Sequence, residues 1–191
     1  MKEIVFATHN EHKLAEVRGI VGAGIKILGL SDIDCHNDMP ETGATFEENA
    51  LQKAKYVKEK YGYDCFAEDS GLEVDSLNQK PGVHTARYAG PNATSDDNMD
   101  KLLSSLKGVS NRSARFRTVI ALIENGNHHF FDGKIEGTIP ESRMGEGGFG
   151  YDPVFVPQGY SSSFAQLGVD IKNKISHRAI ATQKFIDFLN R

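Results

Sequence analysis

ARFRTVIALIENGNHHFFDGKIE, residues 114–136, decides the fold class. Val, Ile and Phe crowd its first half, 114–124, and a second extended run at 128–136 follows across Asn125-Gly126, the pair favoured in two-residue turns between antiparallel strands. A hairpin is expected, so antiparallel pairing belongs to the sheet. Toward the N-terminus, a short apolar strand at 4–7 hands over to Thr8-His9-Asn10 and to a helical stripe of Leu14, Val17 and Val21, with Asn10 placed as N-cap. Thr45 and Glu48 stand at capping-box spacing before a second stripe, Phe46, Ala50, Val57 and Tyr61, which should stop near Gly62. A strand at 65–67 leads to Glu68-Asp69-Ser70-Gly71, read as a turn at the strand's end. Leu72, Val74 and Leu77 then suggest another extended segment, and residues 97–106 are helical in character. Toward the C-terminus, Ile175, Ala179, Thr182, Ile186 and Leu189 mark a last helix that starts near Ser176. Alternating helices and strands followed by a hairpin predict an α/β fold with a mixed sheet rather than a purely parallel one.

A chain of 191 residues with 39% hydrophobic content can bury one substantial core. A single domain over 1–191 is expected. The formal charge of −4 supplies no overall basic field, so neither nucleic acid nor an anionic membrane is an expected partner. A polyanion would have to be met by a local site. Cys35 and Cys65 are the two cysteines, far apart and without CxxC or Cys/His spacing, which argues against a disulfide framework or a zinc site. The first residues, MKEIVFATHN, carry too short an apolar run for a signal peptide, and no segment approaches the roughly 18 apolar residues of a membrane span. A soluble, cytoplasmic protein is the expectation.

Five segments carry residues suited to chemistry. Thr8-His9-Asn10-Glu11-His12-Lys13 joins a strand to a helix whose free amides favour an anion, with Lys13 in the first turn; a capped surface helix is the ordinary alternative. Lys53 falls on the inward stripe of its helix, where it must snorkel, find a carboxylate or reach a phosphate. Glu41, with Glu68 and Asp69, offers hard oxygen ligands suited to Mg²⁺, although an Asp-Ser-Gly turn is also common loop chemistry. Gly145-Glu146-Gly147-Gly148-Phe149-Gly150-Tyr151-Asp152 has the glycine density to expose a ring on which a base could stack, or to form a hairpin with its aromatics in the core. Lys172, Lys174, His177 and Arg178 gather donors near the start of the last helix, or form a solvated basic turn.

Taken together and in order, these segments resemble the non-canonical purine nucleoside triphosphate pyrophosphatases, the family that includes inosine triphosphate pyrophosphatase. The resemblance rests on residues 8–13, 41–50, 68–72, Pro81-Gly82-Val83-His84-Thr85-Ala86-Arg87-Tyr88, Gly147-Gly148-Phe149-Gly150-Tyr151-Asp152-Pro153 and Ser176-His177-Arg178, and so spans nearly the whole chain. It implies an elongated mixed sheet with flanking helices in two lobes around a central cleft, a homodimer and Mg²⁺ dependence. It also implies hydrolysis of ITP, dITP and XTP to the monophosphate and pyrophosphate, which cleanses the nucleotide pool. By position, Thr8, Asn10 and Lys13 would contact the triphosphate with Lys53 beside it and Ser70 near the phosphates. Glu41 and Asp69 would hold Mg²⁺, with Glu68 a further candidate ligand; some members carry Asp at that position. Asp69 would be the base on the attacking water. Phe149 would stack on the purine, Asp152 would assist recognition, and Lys172, His177 and Arg178 would line the base pocket. His9, Gly150 and Tyr151 fall in the same motifs and are carried over as substrate contacts. A related pyrophosphatase for modified pyrimidine or canonical nucleotides, and a nucleotide-binding sensor that does not turn over, are the rival readings.

Overall fold

The computed structural model describes residues 2–191. The decisive hairpin forms: β5 (Ser113–Glu124) and β6 (Asn127–Thr138) are neighbours in one sheet, joined by Asn125 and Gly126. Both turn residues have positive φ, 49° and 79°, as a type I′ turn requires and as Asn-Gly permits. The N-terminal part is parallel. β1 (Lys2–Phe6) pairs in parallel with β2 (Ile25–Leu28) on one side and with β3 (Cys65–Val74) on the other. The sheet runs β2-β1-β3-β5-β6-β7, with β7 (Val156–Pro157) antiparallel to β6, and β4 (Lys80–Pro81) pairs with β3 off that path. The expected mixed α/β sheet is therefore present.

One expectation about the elements needs correction. Glu68-Asp69-Ser70-Gly71 is not a turn at the end of a strand but lies inside one continuous strand, β3. The apolar residues on either side, Phe66, Ala67, Leu72 and Val74, are all fully buried. A long strand with both faces covered needs no break at a polar tetrapeptide whose charges find partners. The final helix α6 (His177–Leu189) begins near Ser176 as expected, and the basic run at 172–174 lies before it in a short helix of its own, α5 (Val169–Ile175). β2 and the short helix α4 (Phe164–Leu167) carried too few residues to register as periodic patterns.

The remaining helices follow their local signals. α1 (Glu11–Ile20) starts at Asn10, whose side chain accepts the Lys13 backbone N–H at 3.1 Å. α2 (Phe46–Tyr61) starts at Thr45, which accepts the Glu48 N–H at 3.1 Å, while the Glu48 carboxylate takes the N–H of Ala44 at 2.7 Å. It ends at Gly62. α3 (Ser95–Ser105) has a reciprocal box between Thr94 and Asp97.

The chain divides into two compact units. One comprises the residues up to Asp69 with Thr118–Gly133 and Arg178–Arg191; the other comprises Ser70–Arg117 and Lys134–His177. In the first unit the sheet has a core on each face. Ile4, Phe6 and Phe66 meet Leu14 and Val17 of α1 and Phe185 of α6, with Phe6 and Phe66 stacked at 4.5 Å. Val5, Ala7, Cys65 and Ala67 meet Ala54 and Val57 of α2. Each fully buried Phe or Leu side chain contributes about 1.5–3 kcal/mol through the surface it removes from water. The second unit closes on Leu72, Val74, Leu102, Phe116, Tyr151, Phe155 and Phe164. No helix among the described residues is long and apolar enough to cross a membrane.

Candidate active site

Alternation along β3 distributes the charges. Successive side chains of a strand point to opposite faces. Phe66 lies in the core beneath α1 and α6, and Cys65 and Ala67 lie in the core beneath α2. Glu68 therefore follows Phe66, and Asp69 follows Ala67. Consecutive carboxylates thus serve different partners.

Glu68 is 1% exposed and is met by two cations. The Arg178 guanidinium donates to both of its oxygens, Nε at 3.0 and 2.9 Å and Nη2 at 2.8 Å, and Lys13 Nζ lies 3.1 Å from Oε1. Arg178, 1% exposed, also donates through Nη1 to the buried Glu16. Burial alone would raise the Glu68 pKa, but Arg178 and then Lys13 outweigh it and hold the carboxyl well below the usual carboxylate range. Burial likewise opposes the charge on Arg178, and Glu68 and Glu16 reverse that effect, raising its pKa.

The Glu68 oxygens are thus engaged by Arg178 and Lys13, and Arg178 by the two carboxylates of the first unit. A guanidinium with no access to water needs carboxylates that match its planar fork.

The Asp69 face is built differently. Asn49 Nδ2 donates to Asp69 Oδ2 at 3.0 Å, and Asn49 Oδ1 accepts the Gly43 N–H at 2.7 Å, tying the strand to the loop that carries Glu41. Lys53, on the inward stripe of α2, is 7% exposed and is ion-paired with Glu41. Desolvation raises the Asp69 pKa above its ordinary value despite the opposing fields of Lys53 and Lys13. For Lys13 desolvation also dominates, lowering its pKa against the attraction of Glu68. The result is a carboxylate made more basic within reach of two cations.

The Thr8-His9-Asn10 segment stands where β1 gives way to α1. Thr8 Oγ1 accepts the Asn10 N–H at 3.1 Å, and His9 Nε2 donates to the Asn37 carbonyl at 2.9 Å. Thr8 is half-buried, and His9 and Asn10 are exposed. Ser70, next along β3, is half-buried.

The second unit gathers the aromatic residues. Asp152, 2% exposed, accepts Lys172 Nζ at 2.7 Å and the backbone N–H of Phe149 at 3.0 Å. Lys172 Nζ stands 4.2 Å from the Phe149 ring centroid, a cation–π distance. Gly148 has φ +74°, and a Cβ there would lie 2.2 Å from Asp152 Oδ2, so only glycine lets the loop close on that carboxylate. Gly150 follows Phe149 with φ +61°. His177, 5% exposed, stacks on Phe116 at 4.8 Å with an interplanar angle of 14°. The Tyr151 ring lies in the core, and its hydroxyl donates to the Thr85 carbonyl at 2.7 Å. Burial raises that phenol's pKa, and the side chain anchors the loop from within.

The structure thus brings together Lys13, Lys53, Glu41 and Asp69 in the first unit, and Phe149, Asp152 and Lys172 in the second. Glu16 and Asn49 were missed in the sequence. The signal existed for both, since each sits beside the buried stripe of its helix, Glu16 between Leu14 and Val17 and Asn49 between Phe46 and Ala50. Among the described residues no group of three or more His, Cys, Asp and Glu could form a ready metal cage. Glu41 and Asp69 are two hard carboxylates that act on each other electrostatically. That set fits Mg²⁺, which is commonly held by one or two carboxylates together with substrate phosphates and waters.

Comparison with known proteins agrees with this architecture. The family model described as the Ham1 family matches residues 4–188. A protein of Porphyromonas gingivalis named dITP/XTP pyrophosphatase is 53% identical over 190 residues, covering 99% of this chain and 98% of the relative. The solved structure of a HAM1 protein from Coxiella burnetii superposes with a TM-score of 0.91 at 39% identity, covering 100% of this chain and 99% of that one. The Staphylococcus aureus Ham1 protein gives 0.90 at 38%, covering 99% and 98%. With the family model spanning nearly all of its length and relatives matching it end to end, this chain belongs to the Ham1 family.

Proposed function

We propose that the protein hydrolyses non-canonical purine nucleoside triphosphates, dITP, ITP and XTP, to the nucleoside monophosphate and pyrophosphate. The observation that carries the reading is Asp69, a carboxylate held by Asn49 and made more basic by burial, in the electrostatic company of Lys13 and Lys53. The name borne by relatives such as that of P. gingivalis supports the substrate class.

Asp69 takes the proton from an attacking water. The water oxygen bonds to the α-phosphorus as the bond to the α–β bridging oxygen breaks, and pyrophosphate leaves with the electron pair. Charge accumulates on the departing group, where fixed cations stabilise it. Lys13 and Lys53 supply that field, and Thr8, Asn10 and Ser70 orient the phosphates. Glu41 and Asp69 would hold Mg²⁺, which neutralises phosphate charge when bound. Lys53 meanwhile exchanges its Glu41 partner for a phosphate oxygen.

Phe149 offers the purine a stacking surface, and Asp152 fixes both the Phe149 backbone and the Lys172 ammonium. Lys172 and His177 are the donors for a 6-oxo acceptor. Adenine presents an amino donor there instead, and each buried donor it leaves unpaired costs about 1–3 kcal/mol. The pairing of Lys172 with Asp152 favours a base that brings an acceptor. A homodimer is inferred on the family resemblance, and a reducing cytoplasm suits the two buried free thiols, Cys35 and Cys65.

The test is product analysis after incubation with Mg²⁺ and, separately, ITP, XTP, GTP, ATP and dTTP. Monophosphate and pyrophosphate chiefly from ITP and XTP are expected. Orthophosphate would indicate a phosphatase, a pyrimidine preference would favour the rival pyrophosphatases, and binding without product would leave a nucleotide sensor. Chelation of Mg²⁺ should abolish turnover and readdition restore it; full activity in excess chelator would remove the metal from the scheme.

A further inference from the structure

The loop that presents Phe149 has neither helix nor strand from residue 139 to 150. It is tied to the segment that follows it at Met144, next to Arg143, and at Phe149. Met144 N–H donates to the Pro153 carbonyl at 2.8 Å, Ser163 Oγ donates to the Met144 carbonyl, and Asp152 takes the Phe149 N–H. On the side facing α3 the situation differs. A cavity of about 700 Å³ lies there, lined by Asp96 and Met99 from the helix and by Arg143, Gly147, Phe149 and Pro153 from the loop side. Apolar packing does not hold loop and helix together where that space intervenes.

Arg143 spans it. Its Nη1 donates to Asp96 Oδ1 at 2.5 Å, and its Nη2 donates to Asp100 Oδ1 at 2.6 Å and to the Asp96 carbonyl at 3.2 Å. One planar guanidinium thus engages two successive turns of α3. We propose that Arg143 is a positioning residue, a strut that fixes the Phe149 loop at the distance from α3 needed for the ring to receive a purine. The inference rests on the base-binding role given to Phe149 above. Both aspartates are exposed, about 70% at the side chain, so the strut is salt-sensitive and of the modest strength typical of surface pairs, helped by its three-point geometry. Such a strength suits a loop that must admit and release a base.

The chain contains no tryptophan, so Phe149→Trp introduces a single indole as a reporter of loop order. In that background, Arg143→Met and, separately, Asp100→Asn should lower the indole's fluorescence anisotropy, and raising salt to molar levels should do the same to the parent. In the otherwise native chain, Arg143→Met should raise KM for ITP about two- to fivefold, the range expected for a surface network, with kcat within twofold and the melting temperature little changed. Arg143→Lys, which keeps the charge but loses the fork, should recover part of the KM. Unchanged anisotropy together with unchanged KM overturns the strut, as does a loss confined to kcat. Were the native chain to release no pyrophosphate from ITP, the functional reading would fail while the anisotropy measurements still decided whether Arg143 holds the loop.

Discussion

At the scale of single residues, the site turns on two neighbouring carboxylates that the strand sends to opposite faces. Glu68 is neutralised by Arg178 and Lys13, whereas Asp69 accepts from the Asn49 amide and has a raised pKa. Asp69→Asn is nearly isosteric and cannot take a proton, so turnover of ITP should fall by about 10²–10⁴, the usual worth of a general base, while nucleotide binding and the melting temperature stay close to native. Near-normal turnover would remove Asp69 from that role. In the metal-free protein burial raises its pKa, so the Asp69 carboxyl followed by NMR without Mg²⁺ should titrate above the ordinary aspartate value of 3.8. Titration at or below that value would show that the fields of Lys53 and Lys13 outweigh burial. The identities of Asp69, Lys53 and Phe149 as candidates were legible from residue type and spacing. The fate of Glu68 and Arg178 was not, because nothing along the chain shows that residues 110 positions apart share one buried fork.

At the scale of elements, the signals that survived translation into structure were those with a local mechanism. Asn125-Gly126 fixed its hairpin because both residues tolerate positive φ, and Asn10, Thr45 and Gly62 bounded their helices through hydrogen bonds made within a few residues. β3 was misread because the strand is held by neighbours remote in sequence: Arg178, Lys13 and Asn49 compensate charges that, read locally, look like a turn. The glycine loop was open to two readings, and the structure contains a part of each. Tyr151 goes into the core, and Phe149 is held beside Lys172 by Asp152. Gly148→Ala tests that arrangement. The methyl group would have to displace the Asp152 carboxylate and would strain a left-handed backbone, costing about 1–3 kcal/mol. The expected outcome is a KM for ITP raised about tenfold or more through disordering of Phe149 and Lys172, with a much smaller change in kcat. Equal losses in kcat and kcat/KM would show instead that the loop acts on the chemical step.

At the scale of the whole molecule, stability and function meet in the buried group of Glu16, Glu68, Lys13 and Arg178. Two carboxylates and two cations bring no net charge into the interior, so removing one member leaves its partner desolvated and uncompensated. Arg178→Met keeps much of the volume and strands both Glu16 and Glu68. A loss of about 3–5 kcal/mol is expected, against the ~5–15 kcal/mol that holds most domains folded. Glu68 also makes this stability depend on pH. Its folded pKa lies below the ordinary 4.5 because Arg178 and Lys13 prevail over burial, so the unfolded chain binds the proton more readily. The contribution is complete above pH 4.5 and is lost progressively as pH falls below it. Urea midpoints of the native chain should therefore drop between pH 6 and pH 3.5. In Arg178→Met the cation that chiefly lowers the Glu68 pKa is gone, so its protonation becomes a relief rather than a loss. That variant should start from a lower midpoint at pH 6 and show a shallower decline, or a gain, toward pH 4. A native-like midpoint with a native-like acid limb would mean that the fork between α6 and β3 contributes nothing to holding the fold, and that the burial of three charged side chains beside Lys13 is compensated elsewhere.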